Sequence, residues 1–169
     1  MDPFIVTYTG KKVNPLALKV EDIDILDIAH HLACCNRFCG ALKIPVSVGQ
    51  HSVYVSRLLR RTPWEREGLF HDASECYLGD ISKWVKQSDT MIGYREAEDR
   101  AWKTIAEALA LDFLETPEFN PRIKYADDLM VRYENMKLSG DPTIQQSLPS
   151  HPKPLEMEIE LVGMWRPWS

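Results

Sequence analysis

The chain has no apolar run long enough to cross a bilayer and no excess of basic residues. Its 25 Asp and Glu outweigh 20 Lys and Arg, for a formal net charge of −5. The first lack excludes a membrane-spanning helix, which needs about 20 predominantly apolar residues in a row. The second argues against a nucleic-acid coat or a membrane-surface protein, both of which need a basic face. The one basic cluster, Arg57, Arg60 and Arg61, falls at a predicted helix C-terminus, where positive charge complements the dipole. Cysteine is also scarce. Four thiols (Cys34, Cys35, Cys39 and Cys76) suggest reduced side chains in a cytosol, and CCxxxC lacks the second pair expected of a zinc cluster. Asp2 and Pro3 come first and no apolar leader follows, so a cytoplasmic location is expected. There is no internal repeat and no low-complexity run.

What is present is ordinary globular material. An apolar content of 44% suffices for one domain with a sizeable core. The expected extent is residues 1–169, with the core at about 20–139 and a proline-rich tail over 140–169. The tail carries Pro142, Pro149, Pro152, Pro154 and Pro167, which break any long helix. Near the start, IVTYTGKKVNP reads as a short hairpin turning at Thr9-Gly10.

Most of the chemistry sits between Gly68 and Lys86, in GLFHDASECYLGDISKWVK. Thr62, Pro63 and Glu65 read as an N-cap, a first-turn proline and a capping box. Leu69, Phe70, Ala73, Cys76 and Tyr77 then recur at helical spacing, and Gly79 supplies the stop. A single helix is therefore expected through this stretch. His71, Asp72 and Glu75 lie within about one turn of each other on it. Ionised carboxylates beside a core stripe are costly unless paired or bound to metal.

Four more helices follow from periodicity. In the first, Ile25, Ile28, Ala29, Leu32 and Ala33 mark the inner face; of His30 and His31, one is expected packed and one solvated. It exits through Asn36-Arg37-Phe38-Cys39-Gly40, a turn with a cation beside an aromatic ring. The second, Ser47 to Arg60, places Val48, His51, Ser52, Val55, Leu58 and Leu59 on one stripe, so His51 points inward. Ser88 opens a long helix to about Leu111, with Ala97, Ala101, Ile105, Ala108 and Leu109 inside. The last runs from Arg122 to Leu138 on a stripe of Ile123, Ala126, Met130 and Val131. Asp127 lies in that stripe, whereas Asp128 lines up with Lys124 and Arg132 in an exposed ion-pair row.

His51, His71, Asp72 and Asp127 thus come from separate stretches and face the interior. Two imidazoles and two carboxylates suit zinc, cobalt, manganese, nickel or iron better than magnesium or calcium, which prefer all-oxygen shells. With the motifs TYTGKKVNPL, DIAHHL, Asn36-Arg37-Phe38, SVGQHSVYVS, HDASExxxGD and Tyr125-Ala126-Asp127 in this order, the chain resembles the HD-domain phosphohydrolases. Within them it is similar to the small single-domain branch of bacterial 5′-deoxynucleotidases and phage deoxynucleoside triphosphohydrolases. The likeness spans roughly residues 7 to 134.

That resemblance implies an all-α HD-domain helical bundle with a short N-terminal hairpin. It implies a divalent transition metal (Zn, Co, Mn or Ni) on His51, His71, Asp72 and Asp127. Glu75 matches the catalytic carboxylate and Asp80 a second one, which could hold a second divalent ion through water. Arg37 and Lys86 match phosphate-contacting cations; Lys83 is a further cation near the site, and Phe38, often tryptophan in this branch, lies where the base is discriminated. The activity implied is cleavage of the 5′-phosphate ester of a deoxynucleotide. The favoured substrate is a triphosphate, dATP among the candidates, releasing deoxynucleoside and tripolyphosphate. A 5′-deoxynucleotidase acting on monophosphates is the alternative, and a non-catalytic metal- and nucleotide-binding regulator is the alternative of another class. The expected setting is a bacterial or phage-infected cytosol, with the chain as a homo-oligomer, dimer or higher.

Overall fold

A computed structural model describes residues 3–111 and 120–138; the expected tail lies outside them. The fold is all-α with one small hairpin. Strands β1 (Ile5–Val6) and β2 (Lys12–Val13) pair antiparallel, Ile5 opposite Val13. The turn uses Gly10 at φ +87°, a left-handed conformation that costs glycine little. Helices α1 (Ile25–Cys34), α2 (Val48–Leu58), α3 (Glu65–Phe70), α4 (Glu75–Leu78), α5 (Lys83–Lys86), α6 (Ile92–Ala108) and α7 (Pro121–Leu138) follow. None of the described helices is long and apolar enough to cross a membrane.

The caps follow the expected chemistry. Ser47 Oγ accepts from Gln50 N at 3.1 Å at the start of α2, and Asn120 Oδ1 takes Arg122 N at 3.0 Å ahead of α7. Each satisfies a main-chain N–H with no partner inside its helix. Arg66 caps the far end of α6, donating to the carbonyls of Leu109 and Ala110. The expected capping box at Thr62 does not form: α3 starts at Glu65 behind Trp64, which makes no side-chain cap, and Glu65 Oε2 takes the N–H of Arg61 rather than that of Thr62.

Two apolar clusters make the core. One gathers Ile28, Leu32, Val48, Ala73, Cys76, Trp102 and Ile105, and the other Tyr54, Val55, Leu59, Ile123, Ala126 and Met130. Helix α2 belongs to both, through Val48 and through Tyr54 and Val55, and His51 lies between them on the same helix. At Gly68 a Cβ would stand 2.6 Å from Leu59 Cδ1. That glycine is what lets α3 approach α2 so closely.

Three sequence expectations need correction. The stretch around His71 is not one helix: α3 ends at Phe70 and α4 starts at Glu75. Between them Ala73, Glu75 and Cys76 each bond the carbonyl three residues back, a tighter winding that rotates the side chains away from the regular α phase. Leu69 and Phe70 are only half-buried as a result, while Glu67 and Gly68 are buried. On α1, Ile25, Ala29 and Ala33 are exposed and the buried positions are Asp27, Ile28 and Leu32. The helix is rolled so that a carboxylate faces inward, where Thr9 satisfies it. On α7 the inner row continues to the buried Glu134, not to the half-buried Val131.

Candidate metal centre

His51 is fully buried on α2. Its Nδ1 meets Glu134 Oε1 at 2.8 Å and its Nε2 meets Asp127 Oδ1 at 3.1 Å, both carboxylates coming from α7. A carboxylate behind one ring nitrogen fixes the ring and turns the other nitrogen toward a ligand position. Burial and Arg37 press the His51 pKa down, but the bonds to Asp127 and Glu134 outweigh them and raise it. Glu134 also accepts from Arg37 Nε at 3.1 Å.

His71 ends α3. Its Nδ1 donates to Gly68 O at 2.8 Å, one turn back on its own helix. Its Nε2 is turned toward the carboxylates, and that atom is buried with no hydrogen-bond partner. It lies 3.1 Å from Asp72 Oδ2 and 3.9 Å from Asp127 Oδ1. The rings of His51 and His71 stand 5.2 Å apart. One ligand atom each from His51, His71 and Asp127 fall within 4.8 Å of one another, a group that could hold a metal ion. Two imidazole nitrogens with a carboxylate oxygen suit a borderline divalent ion. An orphaned buried nitrogen aimed at the group fits the same need, since an unpaired polar atom otherwise costs free energy.

Asp72 sits on the rim of this group, 3.9 Å from His51 Nε2 and bonded to Arg37 Nη1 at 3.2 Å. Burial opposes its charge, but His71 above all, with Arg37 and His51, holds its carboxyl far below the usual range. At Asp127, burial again pushes upward and the His51 hydrogen bond leads the opposing influences, so the net shift is down. Both carboxylates are anionic at neutral pH, as metal ligands must be.

Glu75 behaves in the opposite way. It is buried, its Oε2 has no partner, and Lys86 Nζ lies 3.7 Å from Oε1. Burial, reinforced by Asp72 and Asp80, pushes its pKa well above the ordinary carboxyl range. Asp80 is raised too, chiefly by burial, and its Oδ2 accepts from Phe38 N at 3.1 Å. Lys86 also bonds Glu98 Oε1 on α6 at 2.7 Å. Burial opposes its charge, but Glu98 and Glu75 push its pKa up.

Arg37 reaches the cluster by an unusual route. Arg37 N bonds Val46 O at 2.9 Å, and Asn36 pairs with Ser47 across the loop. Phe38 and Cys39 then take φ of +55° and +54°, a left-handed turn that is strained for side chains of this size. Phe38 is half-buried, belongs to neither apolar cluster, and lies 5.3 Å under the Arg37 guanidinium. Lys83 is mostly exposed and sits 3.9 Å from Asp128. Lys124 pairs with Asp128 and lies 3.6 Å from Asp127.

The structure thus gathers His51, His71, Asp72 and Asp127, with Arg37 bonded to Asp72. Lys86 stands beside Glu75, Asp80 is tied to Phe38, and Lys83 points to the α7 surface. Sequence reasoning missed Glu134 and Glu98. Glu134 was within reach, since it lies two turns beyond Asp127 on the same face of α7. Glu98 carries no such mark.

No family model matches the chain. Over 138 residues it is 34% identical to the uncharacterized protein YfdR of Escherichia coli strain K12, covering 82% of this chain and 74% of YfdR. This chain belongs to the YfdR family. An uncharacterized protein of Rhodobacter capsulatus is 31% identical over 140 residues, 78% of this chain and 71% of that protein.

Proposed function

We propose that this chain is a metal-dependent phosphohydrolase that cleaves the 5′-phosphate ester of deoxynucleotides. A deoxynucleoside triphosphate is the favoured substrate, and deoxynucleoside with tripolyphosphate the product. The support comes from one observation above the others: the buried, unpartnered Nε2 of His71 faces His51 and Asp127, with the buried carboxyl of Glu75 one turn away.

His51, His71 and Asp127 would hold the ion, and Asp72 would complete the set. When bound, such an ion supplies Lewis acidity, polarising a phosphoryl oxygen and acidifying water from a pKa of about 15.7 to about 7. Glu134 keeps His51 oriented and, through Arg37, keeps Asp72 in place. Arg37 and Lys86 offset the charge of a phosphate that an acidic protein otherwise repels. Water forms the new P–O bond and gives up a proton to solvent as the P–O5′ bond breaks. Glu75, whose pKa burial pushes up toward that of a proton donor, passes a proton to the departing 5′-oxygen and regains one from solvent. Asp80, anchored to the Phe38 main chain, fixes the turn that carries Arg37.

The test is direct. Purified protein is incubated with deoxynucleoside mono- and triphosphates and each divalent ion, and products are separated by ion exchange. Tripolyphosphate with free deoxynucleoside is the expected result. Orthophosphate from monophosphates alone would make the protein a 5′-deoxynucleotidase. Binding without any product would make it a regulator.

A further inference from the structure

An open, groove-like cavity of about 450 Å³ lies between the hairpin, α1 and α4, and Tyr8, His30, Cys34, Cys35, Glu75 and Gly79 line it. That size suits a small-molecule ligand. Its lining holds no lysine or arginine, unlike the metal cluster with Arg37 and Lys86, so it is ill-suited to a phosphate. Its walls are fixed. Tyr8 N donates to His31 Nε2 at 3.1 Å, and His31 Nδ1 meets Cys76 O at 2.9 Å. Tyr8 is 61% exposed, and its ring lies nearly parallel to that of His30 at 4.0 Å, a platform of the kind on which bases stack.

Glu75 belongs to both places. It lines the cavity, and it stands beside Lys86 in the polar cluster. A carboxyl that protonates the departing 5′-oxygen must have the attached sugar next to it, on the side away from the groups that hold the phosphate. The cavity lies against Glu75. We infer that it receives the nucleoside half of the substrate, with the base against the Tyr8–His30 pair; this rests on the phosphohydrolase reading above.

Thiol protection tests it with an internal control. Cys34 is exposed on the cavity wall, and Cys39 is exposed but does not line the cavity. The full chain is alkylated with iodoacetamide in the presence of each of the four 2′-deoxynucleosides or of inorganic tripolyphosphate, and each cysteine is followed by peptide mass. With a bound nucleoside at ten times its Kd, alkylation of Cys34 should slow by roughly tenfold and that of Cys39 should not change. Tripolyphosphate should protect neither. Tyr8→Ala should weaken nucleoside binding by about tenfold and Tyr8→Phe should restore it. Cys34→Trp, which fills the cavity, should abolish nucleoside binding and leave tripolyphosphate binding intact. The inference is overturned if Cys34 and Cys39 respond alike to every nucleoside, or if Tyr8→Ala and Cys34→Trp bind nucleosides normally. Protection of Cys34 without any hydrolysis would sink the enzymatic reading alone. Hydrolysis with Cys34 unprotected and Tyr8→Ala unchanged would sink the cavity alone.

Discussion

Two places in this protein bring a histidine and an inward-facing aspartate together, and they are built to different ends. At the hairpin, Asp27 is fully buried and accepts from Thr9 N at 2.7 Å and Thr9 Oγ1 at 2.9 Å. Beside it, His31 has both ring nitrogens bonded, to Tyr8 and to Cys76. Between α2, α3 and α7 the same residue types leave His71 Nε2 without a partner and set the carboxylates of Asp72 and Asp127 around it. Polar groups that are buried and fully paired specify a fold. Groups that are buried and left open toward one another could hold a metal ion. What separates the two sites is the accounting of their hydrogen bonds, since their composition is nearly the same.

The sharpest break in the comparison is at the ligands. Asp127→Ala and His71→Ala should abolish divalent metal binding, measured as metal content after dialysis, whereas His31→Ala should bind a full complement and only melt earlier. Full metal content in Asp127→Ala would make the cluster as structural as the hairpin clamp.

Next in size is Glu75→Ala, which should cut turnover by about a hundredfold or more, as loss of a general acid does. Metal content should stay at the wild-type level. Unchanged turnover would move the proton transfer to Asp80 or to solvent.

A smaller effect is expected at the clamp. Asp27→Ala leaves the Thr9 donors unpaired and should destabilise the fold by about 1–3 kcal/mol, with metal binding preserved. Burial pushes the Asp27 carboxyl up, but the bonds from the Thr9 main chain and the Thr7 and Thr9 hydroxyls outweigh it, and its folded pKa is lowered. Its stabilisation is therefore fully present above the unfolded value of about 3.9 and is lost as pH falls through the lower folded value. Denaturant melts of wild type and Asp27→Asn should converge as the pH drops below about 4. A constant gap would show that charge plays no part in the clamp.

The smallest effect belongs to Asp128→Ala. Its partners Lys124 and Lys83 lie at the surface, and exposed pairs contribute roughly 0–1 kcal/mol. Metal content should be unchanged. Loss of metal in this variant would reverse the assignment of the two neighbouring aspartates on α7.

Much of this architecture is written in local pattern. The hairpin, the inward face of α2 with His51, and the choice of Asp127 over Asp128 all follow from periods of two or 3.6 residues. Those periods depend only on neighbours along the chain. The roll of α1 does not: three alanine and isoleucine positions that look like core are exposed, because Thr9 of the hairpin offers Asp27 better partners inside than water does outside. Nor does the break between α3 and α4, where tight turns replace regular winding just as the chain passes His71 and Asp72.

By itself the sequence determined an all-α chain, the inward face of α2 and the candidate ligands His51, His71 and Asp127, because each rests on short-range geometry. Tertiary structure alone decided which of those residues stay unsatisfied. Glu134 sits behind His51 from 83 positions away and holds Arg37 from 97, and Glu98 reaches Lys86 from another helix. A hydrogen bond is satisfied or orphaned only once its partner arrives, and for a buried side chain that partner comes from elsewhere in the fold.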